Sequence, residues 1–213
     1  VTFADLHDAG RILADSLQHH RSDRHAIVLG IVRGGVPVAF EVARALGLPL
    51  DLVLRRTLLQ DPSGDSIRAV RVAGTLISHP DLERVARSSG TVEAGFLRDA
   101  IEDLTQREAM CRGTRPAPDL AGRTVLLVDN GVRTGKTMRA SIQALRSVAP
   151  ARIVAAVPVG SAEAVRAVGS FADEMICLAT PDPFGHVGMY YRRFAVPNEK
   201  EIGRLLDECN GDR

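Results

Sequence analysis

The chain has 213 residues, 45% of them hydrophobic, and its 27 basic and 26 acidic residues leave a formal charge of +1. That length suits one substantial core better than two, and the near-neutral balance excludes a bulk polyanion binder, so nucleic acid is not an expected partner. No apolar run approaches the about 18 residues of a membrane span: IVLGIV stops at Arg33 and TVLLV at Asp129. No signal peptide is visible, and Cys111, Cys177 and Cys209 are too scattered for a disulfide framework or a zinc site. A cytoplasmic, reducing setting is expected. All basic residues are arginine except Lys136 and Lys200.

Short apolar runs alternate with helix-period segments, the pattern of an α/β fold with a parallel sheet. Phe3, Leu6, Ala9, Leu13 and Leu17 recur every three to four residues and predict an N-terminal amphipathic helix. The continuous β-branched run Ala26 to Val32 predicts a strand buried on both faces. A helix follows from Val36 to Leu46, stopped by Gly47, then a second strand from Leu50 to Arg56. From Thr57 to Gly90 the pattern degrades into an insertion, in which Asp61 to Asp65 is turn chemistry and Arg68 to Ile77 suggests a small antiparallel excursion. Thr91 is expected to cap a long helix reaching about Arg112. Thr124 to Asp129 is the third strand, Thr134 to Val148 a helix, and ARIVAAVPV the fourth strand. Ser161 to Val168 is a helix, Glu174 to Thr180 the fifth strand, and Glu199 to Cys209 a closing helix after the turn-rich PDPFGHVG. The expectation is a single domain over residues 1–213. It would have a five-stranded parallel sheet with helices on both faces, an irregular insertion at 57–90, and a small C-terminal hood from 181 onward.

Ligands of open parallel sheets bind beyond the carboxyl ends of the strands, and two such loops stand out. The first is Arg33-Gly34-Gly35 after the first strand, where glycines permit unusual backbone conformations, N–H groups can converge on an anion, and Arg33 adds a cation. The bland alternative is a tight turn that needs glycine. The second is VLLVDNGVRTGKTM, residues 125–138. Its strand delivers Asp129 and Asn130 to the sheet edge, where they can bond vicinal hydroxyls. The loop Gly131 to Lys136 then seats a phosphate at a helix N-terminus, through orphan N–H donors and the Thr134 and Thr137 hydroxyls. The bland alternative here is Thr134 as a plain helix cap. A nucleotide P-loop, G-x-x-x-x-G-K-S/T, fails by one residue: Asn130 stands where its first glycine is required.

VLLVDNGVRTGKTM resembles the signature of type I phosphoribosyltransferases that binds 5-phosphoribosyl 1-pyrophosphate (PRPP), and IVRGGVPVA resembles the pyrophosphate loop of the same family. The resemblance spans roughly Asp5 to Leu206. It implies transfer of ribose 5-phosphate from PRPP to an unidentified, nucleobase-like acceptor with release of pyrophosphate, within nucleotide metabolism. By the resemblance, Thr134, Gly135, Lys136 and Thr137 would hold the 5-phosphate, with Gly131, Val132 and Arg133 also among the PRPP-binding residues. Asp129 and Asn130 would hold the ribose hydroxyls. Arg33, Gly34 and Gly35 would hold pyrophosphate with magnesium, with Asp129 as the protein's metal contact. Arg55 or Arg56 would add a cation to the leaving group, and Asp129, Asn130 and Arg33 would carry the catalysis. Thr57 to Gly74 would be the mobile catalytic loop that excludes water. Phe184 and Tyr191, in the hood, are placed to contact the acceptor or simply to pack there. A homodimer is also implied.

Two residues depart from the family pattern. Asn130 stands where the family carries its second acid, and an amide bonds a hydroxyl but cannot stabilise positive charge on the sugar as a carboxylate does. Arg133 stands where purine-salvage relatives carry an acid acting as general base, a role closed to arginine. Two functional classes follow: an active phosphoribosyltransferase, or a PRPP- or nucleotide-binding regulatory relative that kept the fold and lost the chemistry. A hydrolase of phosphorylated small molecules would need a nucleophile or metal cluster. Cys111 reads as a helix residue, His19-His20 as a helix end, and the other histidines as isolated.

Overall fold

The computed structural model of the chain describes residues 2–21, 23–60, 66–78 and 91–211. Helix α1 (Leu6–Asp15) runs into a 3-10 turn (Gln18–His20), strand β1 (Ala26–Ile31) and helix α2 (Gly35–Leu46). Strand β2 (Leu50–Gln60) is followed by β3 (Ser66–Val72), β4 (Thr75–Ser78) and the long helix α3 (Thr91–Arg112). Then come β5 (Thr124–Val128), α4 (Lys136–Arg146), β6 (Arg152–Val159), α5 (Ala162–Gly169) and β7 (Glu174–Ala179). A second 3-10 turn (Val187–Tyr190) and α6 (Glu199–Gly211) complete the chain.

One sheet results, in the order β4-β3-β2-β1-β5-β6-β7. The expected five strands become seven. The five predicted ones are the mutually parallel β2, β1, β5, β6 and β7, and the degraded stretch adds the antiparallel pair β3 and β4. β2 also runs past Arg56 to Gln60, because β3 pairs with it from Val53↔Val72 to Gln60↔Ser66, with a shift of register between Thr57 and Leu59. The β3–β4 hairpin turns at Ala73-Gly74, both with positive φ (48° and 75°), the backbone that two-residue hairpins demand. Residues 61–65 and 79–90 of the predicted insertion lie outside the described residues, as does the side chain of Thr91, the expected cap of α3.

Alternation along the central strands builds two cores. Val28, Leu126, Val128, Val154 and Ala156 face α1, α2, α3 and α6, while Ile27, Leu29, Val125, Leu127, Ile153 and Ala155 face α4 and α5. On α4 the apolar spacing is Met138, Ile142, Leu145, all buried. No helix among the described residues is long and apolar enough to cross a membrane.

β1 is the switch point of the sheet. From it the chain moves outward to β2, and later returns to its other side as β5, so the loops after β1 and β5 diverge around a crevice. The two strands end level, with Gly30 beside Val128.

Candidate active site

The crevice is a cavity of about 270 Å³ at the carboxyl ends of β1, β2 and β5. Its walls include Arg33 and Gly34 from the first loop, Arg55 from β2, and Asp129 through Gly135 with Thr137 from the second. Three guanidinium groups (Arg33, Arg55, Arg133) and one carboxylate (Asp129) are its charged groups among the described residues. A larger groove of about 570 Å³, with Leu6, Pro37, Val196 and Pro197 in its walls, contains none of the candidate site residues.

The β5 loop is held by the neighbouring strand. The Val132 N–H donates to Val159 O at 2.9 Å, the Ser161 N–H donates to Val132 O at 2.9 Å, and Ser161 Oγ donates to Arg133 O at 2.9 Å. From below, the Tyr191 hydroxyl donates to Asn130 O at 2.5 Å. At Gly135 the chain reverses with φ +71° and enters α4, whose first turn has no side-chain cap. Thr134 is therefore not the cap of this helix, which starts two residues later than its hydroxyl suggests and ends at Arg146 instead of Val148. The left-handed turn at Gly135 makes the bend, and the first-turn N–H groups have no intrahelical acceptors. Lys136 begins the helix but is not among the cavity-lining residues, whereas Thr134, Gly135 and Thr137 are.

The Asp129 carboxyl accepts the Asn130 N–H at 2.8 Å on Oδ1. Burial pushes its pKa up to about 6, against the opposing pull of that N–H and of the Arg55 cation. The Tyr191 hydroxyl is driven well above its ordinary range, by burial first and then by the Asp129 charge.

The glycine pair of the first loop serves close approach more than unusual backbone. Gly34 has ordinary right-handed angles (φ −66°, ψ −24°). A Cβ on Gly34 would intrude on the Asn130 amide, and one on Gly35 would come within 2.8 Å of Val128 O and 2.9 Å of Asp129 Cα. The Val32–Arg33 peptide bond is cis.

Arg55 and Arg56 point to opposite sides of β2, as neighbours on a strand must. Arg55 lines the cavity with its Nε buried and unbonded. Arg56 turns away to α3, 3.2 Å from the Asp103 carboxylate and donating to Asp99 O at 3.4 Å, so it is not one of the cations of the site. Tyr191 is 6% exposed and its hydroxyl is spent on Asn130, so it packs beneath the loop and does not face an acceptor. Phe184 packs against Tyr190, with ring centroids 5.0 Å apart and the planes tilted by 32°. The hood residue that does reach the cavity is Val187, in the second 3-10 turn. An isolated valine in a turn carries no sequence signal for that position.

A model of the phosphoribosyl transferase domain matches residues 4–192, most of the chain. The chain belongs to the phosphoribosyl transferase domain family. A Mycobacterium tuberculosis protein provisionally named as a phosphoribosyl transferase is 36% identical over 211 residues, covering 99% of this chain and 47% of that protein. The chain thus spans about half the length of the curated relatives it matches over nearly its full extent. The crystal structure of TT1426 from Thermus thermophilus superposes with a TM-score of 0.80 at 33% identity, covering 98% of this chain and 99% of that one. A shorter match, 30% identical over 83 residues, joins 38% of this chain to 46% of the bifunctional protein PyrR of Brevibacillus brevis.

Proposed function

We propose that the cavity between the β1 and β5 loops binds PRPP, and that the chain transfers the phosphoribosyl group to a nucleobase-like acceptor with release of pyrophosphate. One observation carries this reading: the Asp129 carboxylate, the uncapped start of α4 and the arginines Arg33 and Arg55 open onto the same small cavity. A ligand with a diol flanked by two anionic groups matches that layout. Family membership supports the same class of substrate.

In this reading Asp129 and Asn130 hold the ribose hydroxyls, and Thr134, Gly135 and Thr137 seat the 5-phosphate against the positive end of α4. Arg33 and the orphan Nε of Arg55 take the pyrophosphate, which gives a buried donor its missing acceptor. Displacement at the anomeric carbon passes through an oxocarbenium-like state, so the residues act by alignment and by fixed charge, with no protein nucleophile. Asp129 is the one carboxylate lining the cavity among the described residues, and one of its oxygens already accepts the Asn130 N–H. That donor set fits a magnesium ion that takes most of its ligands from pyrophosphate and water, and does not fit an all-protein cage. Bound in that way, magnesium would neutralise leaving-group charge. The dimer that the resemblance implies belongs to the same proposal and is read out by light scattering.

A second reading, a PRPP- or nucleotide-binding regulator with little turnover, is favoured by Asn130 in place of an acid and by Arg133 in place of a base. Pyrophosphate release from PRPP, measured over a panel of nucleobases with and without magnesium, separates the two. Saturable release with one base supports the transferase. PRPP binding without release for any base, even in Asn130→Asp, supports the regulator.

A further inference from the structure

At the other end of the sheet, away from the cavity, His19, His20 and Glu174 converge. The histidines end the 3-10 turn after α1, and Glu174 opens the edge strand β7. One ligand atom from each lies within 4.8 Å of the other two, and Nε2 of His19 is 3.8 Å from Oε1 of Glu174. Ligand atoms around a tetrahedral ion with bonds near 2.0–2.1 Å stand about 3.3 Å apart. Side-chain shifts on the order of an ångström would therefore close the set. Among the described residues it is the one group of three or more His, Cys, Asp or Glu side chains so arranged.

Two further observations point to a ligand. His20 is 7% exposed, and its Nε2 is buried without a hydrogen-bond partner, an unfavourable state for a polar group that a bound ion would relieve. The Glu174 carboxylate is oriented: Arg152 donates to Oε2 at 2.8 Å, leaving Oε1 to the His19 ring. Such outer partners commonly fix ligating carboxylates. The His19 side chain is 54% exposed, so an ion has a path in.

We propose that His19, His20 and Glu174 hold a divalent transition-metal ion of the zinc type. Two imidazoles and one carboxylate are a donor set for zinc and its neighbours rather than for magnesium or calcium, which take oxygen ligands. The site lies far from the phosphate loops and takes no part in the proposed transfer. Its role is to clip the end of α1 to β7. The start of α1 is already tied to the hood, where the Phe3 N–H donates to Tyr190 O at 2.8 Å and Arg193 pairs with Asp5 at 2.6 Å. An ion that binds only the folded chain raises its stability.

The test uses the full chain, stripped with a chelator and titrated with Zn²⁺ by calorimetry in the absence of PRPP and phosphate, with thermal unfolding in parallel. One ion per chain should bind and raise Tm. His19→Ala and Glu174→Gln, at partly exposed positions that leave the fold intact, should each weaken binding at least tenfold and abolish the rise, while Asp129→Asn leaves both unchanged. Substitution with Co²⁺ should show no sulfur-to-metal charge-transfer band. Absence of binding to the unaltered chain, equal affinity in the His19→Ala/Glu174→Gln double variant, or a thiolate band from the cysteines would each overturn the site.

Discussion

Gly34 and Asn130 touch across the crevice: the space a Cβ on Gly34 would need is held by Nδ2 of Asn130. The pyrophosphate-side loop and the ribose-side loop are therefore packed against one another before any ligand arrives, and each fixes the position of the other.

Gly34→Ala should displace only the far end of one side chain, costing under about 1 kcal/mol of stability while weakening PRPP binding severalfold. Gly35→Ala meets main-chain atoms, Val128 O and Asp129 Cα, which cannot swing aside, so a loss of about 1–3 kcal/mol is expected. Chemical denaturation and PRPP titration on both variants check the contrast. Truncating Asn130 to Ala in the Gly34→Ala background should remove the clash.

Asp129 weakens the fold that it serves. Its pKa is raised from 3.8 to about 6 by burial, so the folded state holds a proton that the unfolded state releases first. Its unfavourable contribution is absent below about pH 4, grows as pH rises through 6, and then levels off. Asp129→Asn keeps the Oδ1 acceptor for the Asn130 N–H and removes the charge. It should stabilise the chain by up to about 3 kcal/mol above pH 7, with little gain at pH 4, while PRPP affinity falls. Equilibrium unfolding at several pH values reads the difference.

Arg55→Ala should weaken pyrophosphate and PRPP binding tenfold or more, because its guanidinium lines the cavity and its buried Nε lacks a hydrogen-bond partner. Arg56→Ala should leave binding unchanged and cost no more than about 1 kcal/mol, the worth of its half-exposed pair with Asp103. Competition binding with pyrophosphate measures both.

A buried ion network anchors the β3–β4 hairpin. Arg112 bridges Asp51 at 2.8 Å and Glu108 at 3.1 Å, and Glu108 also pairs with Arg71 and accepts the Gly74 N–H at 3.1 Å. Glu108→Gln should leave Arg112 and Arg71 undercompensated and destabilise the chain by about 3–5 kcal/mol, seen as a lowered denaturation midpoint.

The parallel strands, the order of elements and the two loops are readable because each is local: apolar runs, glycine pairs and a strand–bend–helix transition lie within a few residues of one another. The β3–β4 hairpin is only half readable, since its Ala73-Gly74 turn lacks the Asn-Gly signature and its partner strand β2 shows no sign of continuing past Arg56. What sequence does not supply are relations between distant segments. Glycines 34 and 35 look like conformational joints, yet they are space for residues 128–130, nearly a hundred positions away. Arg55 and Arg56 are interchangeable until the phase of β2 separates them. In one dimension Tyr191 reads equally as an acceptor contact or as hood packing, and only its hydroxyl on Asn130 O identifies it as a support for the loop. His19-His20 reads as a helix end because Glu174, the third member, lies more than 150 residues away.

The most direct measurement is a crystal of this chain soaked in ribose 5-phosphate. The account predicts density with the phosphate on the N–H groups of residues 134–137 and the sugar hydroxyls against Asp129. A cavity that stays empty at saturating concentration, or a sugar phosphate bound elsewhere on the chain, would contradict it.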